Sequence, residues 1–275
     1  MGTSKSSKRT ESTVEILQVD RHTLDFFILG TSPLVLNAMS GKAKRELLLP
    51  HGRKTAAERA TTLKHMPPEE FVDSIIKLGP ETRVGAGTKT VPTRAAIGLP
   101  STAFKKAMST TALRIPGVKK TEIGQLTYVE GYRVEVFGTP MLFMEPVRSA
   151  DMSRTPDIRT RAILPEWACQ VSVTFIKPLV TAQTVFNLMG NAGMICGVGD
   201  YRPEKGVGNF GQFTLVDADD ETWARIVETQ AREVQLAAID SPECYDSESS
   251  ELLAWYEEEV ARREAAGTIA KKQTA

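Results

Sequence analysis

Three cysteines, Cys169, Cys196 and Cys244, are spread far apart in 275 residues, and no two make a Cys-x-x-Cys pair. Neither a zinc ribbon nor a disulfide framework is supported. Cys169 falls on the apolar face of an expected strand, so a buried thiol in a reducing cytoplasm is the reading. Histidine is as scarce, with His22, His51 and His65 alone, and none stands at a metal-ligand spacing from another His or Cys. No run approaches the roughly 18 apolar residues of a membrane span. The basic, polar start MGTSKSSKRTEST has no apolar core behind it and does not read as a secretory signal. There is no nucleophile elbow and no clear carboxylate pair. Gly41-Lys42 lacks the glycine spacing and the following Ser or Thr of a phosphate-binding P-loop. The expectation is a chain without metal or cofactor that is not an enzyme.

What is present is an ordinary globular composition, 41% hydrophobic and 25% charged. The formal charge is zero, but it is unevenly distributed. Asp217 to Glu264 hold 15 acidic and 4 basic residues, whereas residues 1 to 216 hold 28 basic and 19 acidic. A basic body points to a polyanion, and an acidic C-terminal arm to a separate role. The expected organisation is a disordered basic segment at 1–19, a folded domain at 20–216 and an acidic helical arm at 217–275. The domain carries insertions at 40–98 and 138–165.

Thr23 to Leu29 (TLDFFIL) is almost continuously apolar and reads as a central strand. The Lys- and Arg-rich stretch 40–66 has poor periodicity and reads as a partly helical excursion. Ser101, after Pro100, is the expected N-cap of a helix in which Phe104, Ala107, Met108 and Thr111 share a side and Lys105 and Lys106 turn away. Residues 128–137 and 168–176 alternate as half-buried strands, with a protruding segment, Gly138 to Pro165, between them. A second helix, Thr181 to Ala192, leads through a glycine-rich stretch to a last strand, Phe210 to Val216. Strand, helix, strand, strand, helix, strand is the ferredoxin-like, RNA-recognition-motif-like α+β order. Its open sheet face is a natural nucleic-acid platform.

Five glycines, Gly197, Gly199, Gly206, Gly208 and Gly211, fall within 15 residues, with Arg202 and Lys205 among them. Exposed amides in such a loop form anion-binding concavities, and Arg grips phosphate at two points. Gly206 to Gly211 matches G-x-G-x-x-G, but it follows a helix and leads into a strand, the reverse of the dinucleotide fingerprint. Tyr201 is a candidate for stacking on bases, and Lys42, Lys44, Arg45, Arg53 and Lys54 for phosphate contacts.

Leu99 to Ala107 (LPSTAFKKA) resembles the first-helix motif of the CRISPR repeat-associated mysterious protein (RAMP) superfamily, and the glycine-rich loop before a final strand resembles that superfamily's other hallmark. The loop GVGDYRPEK is also similar to that of uncharacterised tailed-phage proteins. The resemblance implies a modified RNA-recognition fold of the backbone-subunit kind, which polymerises along RNA. Ser101, Lys105 and Lys106 match the helix start; Arg202, Lys205, Gly206 and Gly208 match the loop, with Asn209 beside them. The first motif lacks the family's glycine, and the catalytic Asp that some members use to cut RNA has no assignable counterpart. The leading expectation is a protein that holds or coats single-stranded nucleic acid, RNA favoured, as a homo-oligomer in the cytoplasm. A phage assembly protein and a metal-independent endoribonuclease are the alternatives.

Overall fold

The computed structural model describes residues 17–49, 63–83, 90–148, 155–206 and 208–267. In chain order the strands are β1 (Asp20–Gly30), β2 (Leu34–Val35), β3 (Glu81–Arg83), β4 (Thr90–Pro92), β5 (Ile97–Pro100), β6 (Thr127–Val129), β7 (Arg133–Phe137), β8 (Met141–Arg148), β9 (Pro156–Leu164), β10 (Ala168–Lys177) and β11 (Phe213–Val216). The helices are α1 (Gly41–Leu48), α2 (Pro67–Asp73), α3 (Ser101–Thr111), α4 (Lys120–Leu126), α5 (Ala182–Ile195), α6 (Glu221–Thr229), α7 (Arg232–Asp240) and α8 (Ser247–Ala265).

The main sheet runs β11-β1-β10-β7-β5, with β6 also on β10, and every pairing in it is antiparallel. If β1, α3, β6 with β7, β10, α5 and β11 are taken as the six core elements, the strands stand in the order fourth, first, third, second. That is the ferredoxin-like arrangement of a mixed α+β fold. Alternation along β10 explains its burial. Cys169, Val171, Val173 and Phe175 point into the core with Phe104 and Met108 of α3 and Leu188 and Met189 of α5. Removing each such side chain from water contributes about 1.5–3 kcal/mol. Burial also pushes the Cys169 thiol well above its ordinary range.

Gly138 to Pro165 does not simply protrude. It folds as the β8–β9 hairpin, which with β2 makes a second, three-stranded sheet. Leu142, Met144, Ala162 and Leu164 on one face of this sheet join the main core. Val35, Phe143 and Ile163 on the other face form a smaller cluster with Tyr201, Phe210 and Tyr245. Pro146 fits because β8 is an edge strand, where a missing N–H breaks no ladder.

The acidic segment beyond Val216 packs onto the body. α6 lies across the face of the main sheet opposite α3 and α5. Trp223 stands edge-on to Phe27 with centroids 5.0 Å apart, and its indole N–H donates to the Cys169 carbonyl at 3.2 Å. Ile226 and Val227 are buried against Ala95, Phe137 and Ala168. On α7 the buried Gln235 accepts from the Ala96 amide at 2.7 Å and donates to the Val136 carbonyl at 2.8 Å. On α8 Ser249 Oγ accepts from the Met144 amide at 3.0 Å.

Candidate nucleic-acid interface

The glycine-rich segment leaves α5 at Cys196 and lies on the outer face of the second sheet, where Asp200 bridges Val35. All of its glycines but Gly206 serve backbone crowding. A Cβ on Gly208 would stand 1.6 Å from the Tyr201 carbonyl oxygen, and one on Gly211, at φ +71°, 1.8 Å from the Val198 carbonyl oxygen. The expected concavity of free amides is largely filled from within. Val198 N–H donates to Gly211 O (2.9 Å), Gly211 N–H to Pro33 O (2.7 Å), Asp200 N–H to Val35 O (2.9 Å), and Glu204 N–H to Cys196 O (3.2 Å).

Arg202 is likewise engaged. Its Nη2 and Nε reach Glu204 Oε2 at 2.7 and 2.8 Å, and its Nη1 donates to the Gly199 carbonyl at 2.7 Å. Burial pushes the Glu204 carboxyl up, but the Arg202 hydrogen bond and the charges of Arg202, Lys106 and Lys205 outweigh it, so it stays below its ordinary value. Tyr201 is held at φ +48° with the Arg161 guanidinium 4.8 Å from its ring centroid, and its hydroxyl is buried near Glu145. Burial raises that hydroxyl's pKa. Tyr201 therefore packs under the loop rather than facing a base. Lys205, Gly206 and Asn209 are exposed on the loop's outer side, and Gly208 is half-buried.

Two segments read separately in the sequence meet here. A cavity of about 240 Å³ lies between α3 and the loop, bordered by Ala103 and Lys106 on one side and Gly199, Asp200, Arg202 and Glu204 on the other. Thr110 Oγ1 of α3 also donates to Glu204 Oε1 at 3.4 Å. Lys106 is exposed at this rim.

Helix α3 begins at Ser101 itself, with Pro100 at the cap and no side-chain capping bond. The Ser101 amide and hydroxyl both point to the Tyr132 carbonyl, at 3.3 and 3.4 Å. Tyr132 sits in a bulge. β10 pairs Val173 with Val129 but Cys169 with Val136, and the Glu130 amide still donates to the Ser172 carbonyl at 2.8 Å, so three residues beyond Glu130 are extra on the opposing side, at the break formed by Gly131 and Tyr132. Tyr132 is 80% exposed and Tyr128, just before the bulge, 44%. Arg133 lies over the Tyr132 ring at 4.4 Å and Lys105 over the Tyr128 ring at 4.9 Å. Lys105 thus turns onto a neighbouring ring rather than away. The sequence reading placed Tyr132 and Arg133 only as alternating strand residues. The Gly131 between them, at φ +74°, was the available signal for a turn.

The other predicted cations lie apart. Lys44 and Arg45 are exposed on α1, and Arg45 borders a separate cleft with Lys64, His65, Asp157 and Arg159. There Lys64 pairs with Asp157 at 2.6 Å, and His65 bridges Glu70 and Asp157 at 3.0 and 2.9 Å. Asn37, Ala38 and Ser74 border both this cleft and the α3 cavity. The Lys42 side chain and Arg53 and Lys54, like His51, fall outside the described residues. The sheet face expected to be an open platform is closed over Phe27 by Trp223. The rest of it carries Arg94 and Arg133 together with Asp25, Glu130 and Glu135, and these carboxylates accept from Ser172 Oγ (2.5 Å), Thr174 Oγ1 (2.5 Å) and the Arg94 and Ala95 amides (2.8 and 2.9 Å). Acidic side chains there disfavour a phosphate backbone.

Among the described residues no helix is long and apolar enough to cross a membrane, and no group of three or more His, Cys, Asp or Glu is placed to hold a metal ion. No family model and no curated protein matches this sequence. Among solved structures the chain is similar to Cmr6 from Pyrococcus furiosus, with a TM-score of 0.34 and 10% identity, over 72% of this chain and 98% of that one. The α+β fold stands on the strand order of this chain and not on that likeness.

Proposed function

We propose that this protein binds single-stranded nucleic acid, RNA favoured, along α3 and the outer rim of the glycine-rich loop. The observation that carries the reading is the meeting of α3 and the loop around one cavity, with Lys106 at its border and Lys205 exposed next to Glu204 on the loop. The loop supplies a rigid rim with Lys205, Gly206 and Asn209 outward, and Arg202 holds that rim in shape through Glu204. Ser101, Gly208 and Arg202 belong to the site as its framework, and Lys44 and Arg45 with Lys42, Arg53 and Lys54 extend it towards the neighbouring cleft. RAMP-like ancestry and self-association, with the acidic helices of one copy against the basic body of the next, are parts of the same reading.

The test is binding of labelled single-stranded RNA and DNA across a salt series. For wild type, log affinity falls with log salt by about 0.7 for each phosphate neutralised on a single strand. The Lys106→Gln/Lys205→Gln protein removes two cations without disturbing the Arg202–Glu204 pair, and it should bind at least about tenfold more weakly with a shallower slope. A flat salt response, or a variant that binds as wild type does, rejects the proposal.

A further inference from the structure

We infer that Tyr128 and Tyr132 form a two-ring platform that takes unstacked bases of a single strand, with Lys105 and Arg133 serving the attached phosphates. The inference rests on the nucleic-acid reading above and adds the chemical class of its ligand: a strand whose bases are free to leave their neighbours, not a duplex.

Three observations carry it. First, both rings are on the surface although their strands supply the core around them. Tyr132 reaches solvent because the three-residue bulge lifts it out of the β7–β10 ladder, and Tyr128 follows the fully buried Thr127. An exposed tyrosine on a half-buried strand forgoes the burial that an aromatic ring otherwise gains.

Second, each ring has a cation over it, Arg133 on Tyr132 and Lys105 on Tyr128. A cation on one face fixes the ring's orientation and leaves the other face for a base. It also places positive charge within reach of the phosphate of a stacked nucleotide. Stacking of this kind accepts any base, since each has a π-face, and it is closed to paired bases within a duplex.

Third, the platform is continuous with the cavity. Ser101 holds the Tyr132 backbone, Lys105 covers Tyr128, and Lys106 on the next position borders the glycine-rich loop. One turn of α3 therefore links a place for bases to a place for phosphates.

The experiment compares three ligands of about 12 nucleotides: oligo(U), oligo(dT) and an abasic phosphodiester chain of equal charge. Each is titrated against wild type, Tyr128→Ala/Tyr132→Ala and Tyr128→Phe/Tyr132→Phe. Wild type should bind both oligonucleotides at least about tenfold more tightly than the abasic chain, as stacking on two rings implies. The alanine protein should lose that preference while still binding the abasic chain as wild type does, and the phenylalanine protein should keep it. Oligonucleotide and abasic chain bound equally by wild type would overturn the platform and leave the charge-based reading standing. No binding of any chain by wild type would end both. Alanine changes that abolish self-association of the protein but leave oligonucleotide affinity intact would assign the rings to a second copy of the chain and overturn the inference. Because Tyr132 is so exposed, a folded alanine protein is expected, and its circular dichroism checks this.

Discussion

Two glycine-bearing turns flank helix α3, and they are built in opposite ways. In the Gly197–Gly211 loop the tyrosine hydroxyl is buried, the arginine is matched by a carboxylate, and amide after amide is bonded to carbonyls of the loop itself, of α5's end or of the Pro33–Val35 segment. In the bulge at Gly131 and Tyr132 the tyrosine faces solvent, and its cation lies on a ring rather than on a carboxylate. Glycine density thus reports how closely backbones approach. It does not report how open a segment is, and the poorer of the two turns in glycine is the one whose tyrosine is exposed.

The largest effect should come from glycine positions within the loop. Gly211→Ala places a methyl group inside van der Waals distance of the Val198 carbonyl at a positive φ, and Gly208→Ala places one as close to the Tyr201 carbonyl. Backbone cannot yield as a side-chain tip can, so each should cost roughly 4 kcal/mol. For a chain of this size that corresponds to a fall in Tm of about 8–16 °C. Gly206→Ala is the control. Its φ is +76°, but nothing lies within 4 Å of the added Cβ, so only the left-handed conformation is penalised, by about 1 kcal/mol. If all three lost stability equally in thermal denaturation, crowding would not be what the loop's glycines serve.

A smaller loss is expected at Arg161, which ties the loop to the second sheet. Its guanidinium is buried beneath Tyr201 and lies 2.6 Å from Asp200 Oδ2. Asp200 also accepts from Asn37 Nδ2 at 3.0 Å. Arg161→Met keeps much of the volume and leaves Asp200 without its cation. Removing one partner of a buried pair costs about 3–5 kcal/mol. Asp200 is partly exposed, so about 2 kcal/mol is expected here. Asp200→Asn made in addition should recover about half, because the orphaned charge is gone, and chemical denaturation of the four proteins reads that coupling. Strict additivity would mean that the two residues hold the loop independently.

The main fold was legible because its signals are local. The alternation over 168–176 identified which residues of β10 face the core, and the strand–helix order gave the ferredoxin-like arrangement. The TLDFFIL run reads as covered on both faces, and in its second half it is, though the cover on one side is Trp223 of the acidic segment rather than a core helix. The acidic arm, expected to be helical over 217–275, begins with two short helices broken at Gln230 and Ala231, and no residue pattern marks that break. The second sheet was not legible. β2 is two residues long, and Pro146 inside β8 reads as a breaker unless the strand is known to lie at an edge. At the site, helical spacing gave the buried face of α3, whereas no local rule places Lys105 on Tyr128. Tyr201 and Tyr132 both precede an arginine and follow a glycine within two residues, and only the pairing register, with its three extra residues opposite β10, separates the inward ring from the outward one.

The smallest effect sharpens the contrast through pH. Glu204 is the carboxylate that neutralises Arg202, and its pKa in the folded protein lies below the ordinary carboxylate value despite burial. A folded-state pKa below the unfolded one makes the ion pair contribute stability at pH values above the unfolded pKa, near 4.3. The contribution is lost as pH falls through the folded value. Glu204→Gln cannot titrate, so its stability should fall less steeply than that of wild type below about pH 4, while above about pH 6 it should be less stable by roughly 1 kcal/mol. The Tyr132 bulge has no such carboxylate on its cation, so Arg133→Gln should leave the acid limb of the stability curve as in wild type. Urea midpoints measured across that range read both variants. A Glu204→Gln curve parallel to wild type throughout would mean that Arg202 is not held by that carboxylate in solution and is free to meet a phosphate, which would erase the difference between the two turns.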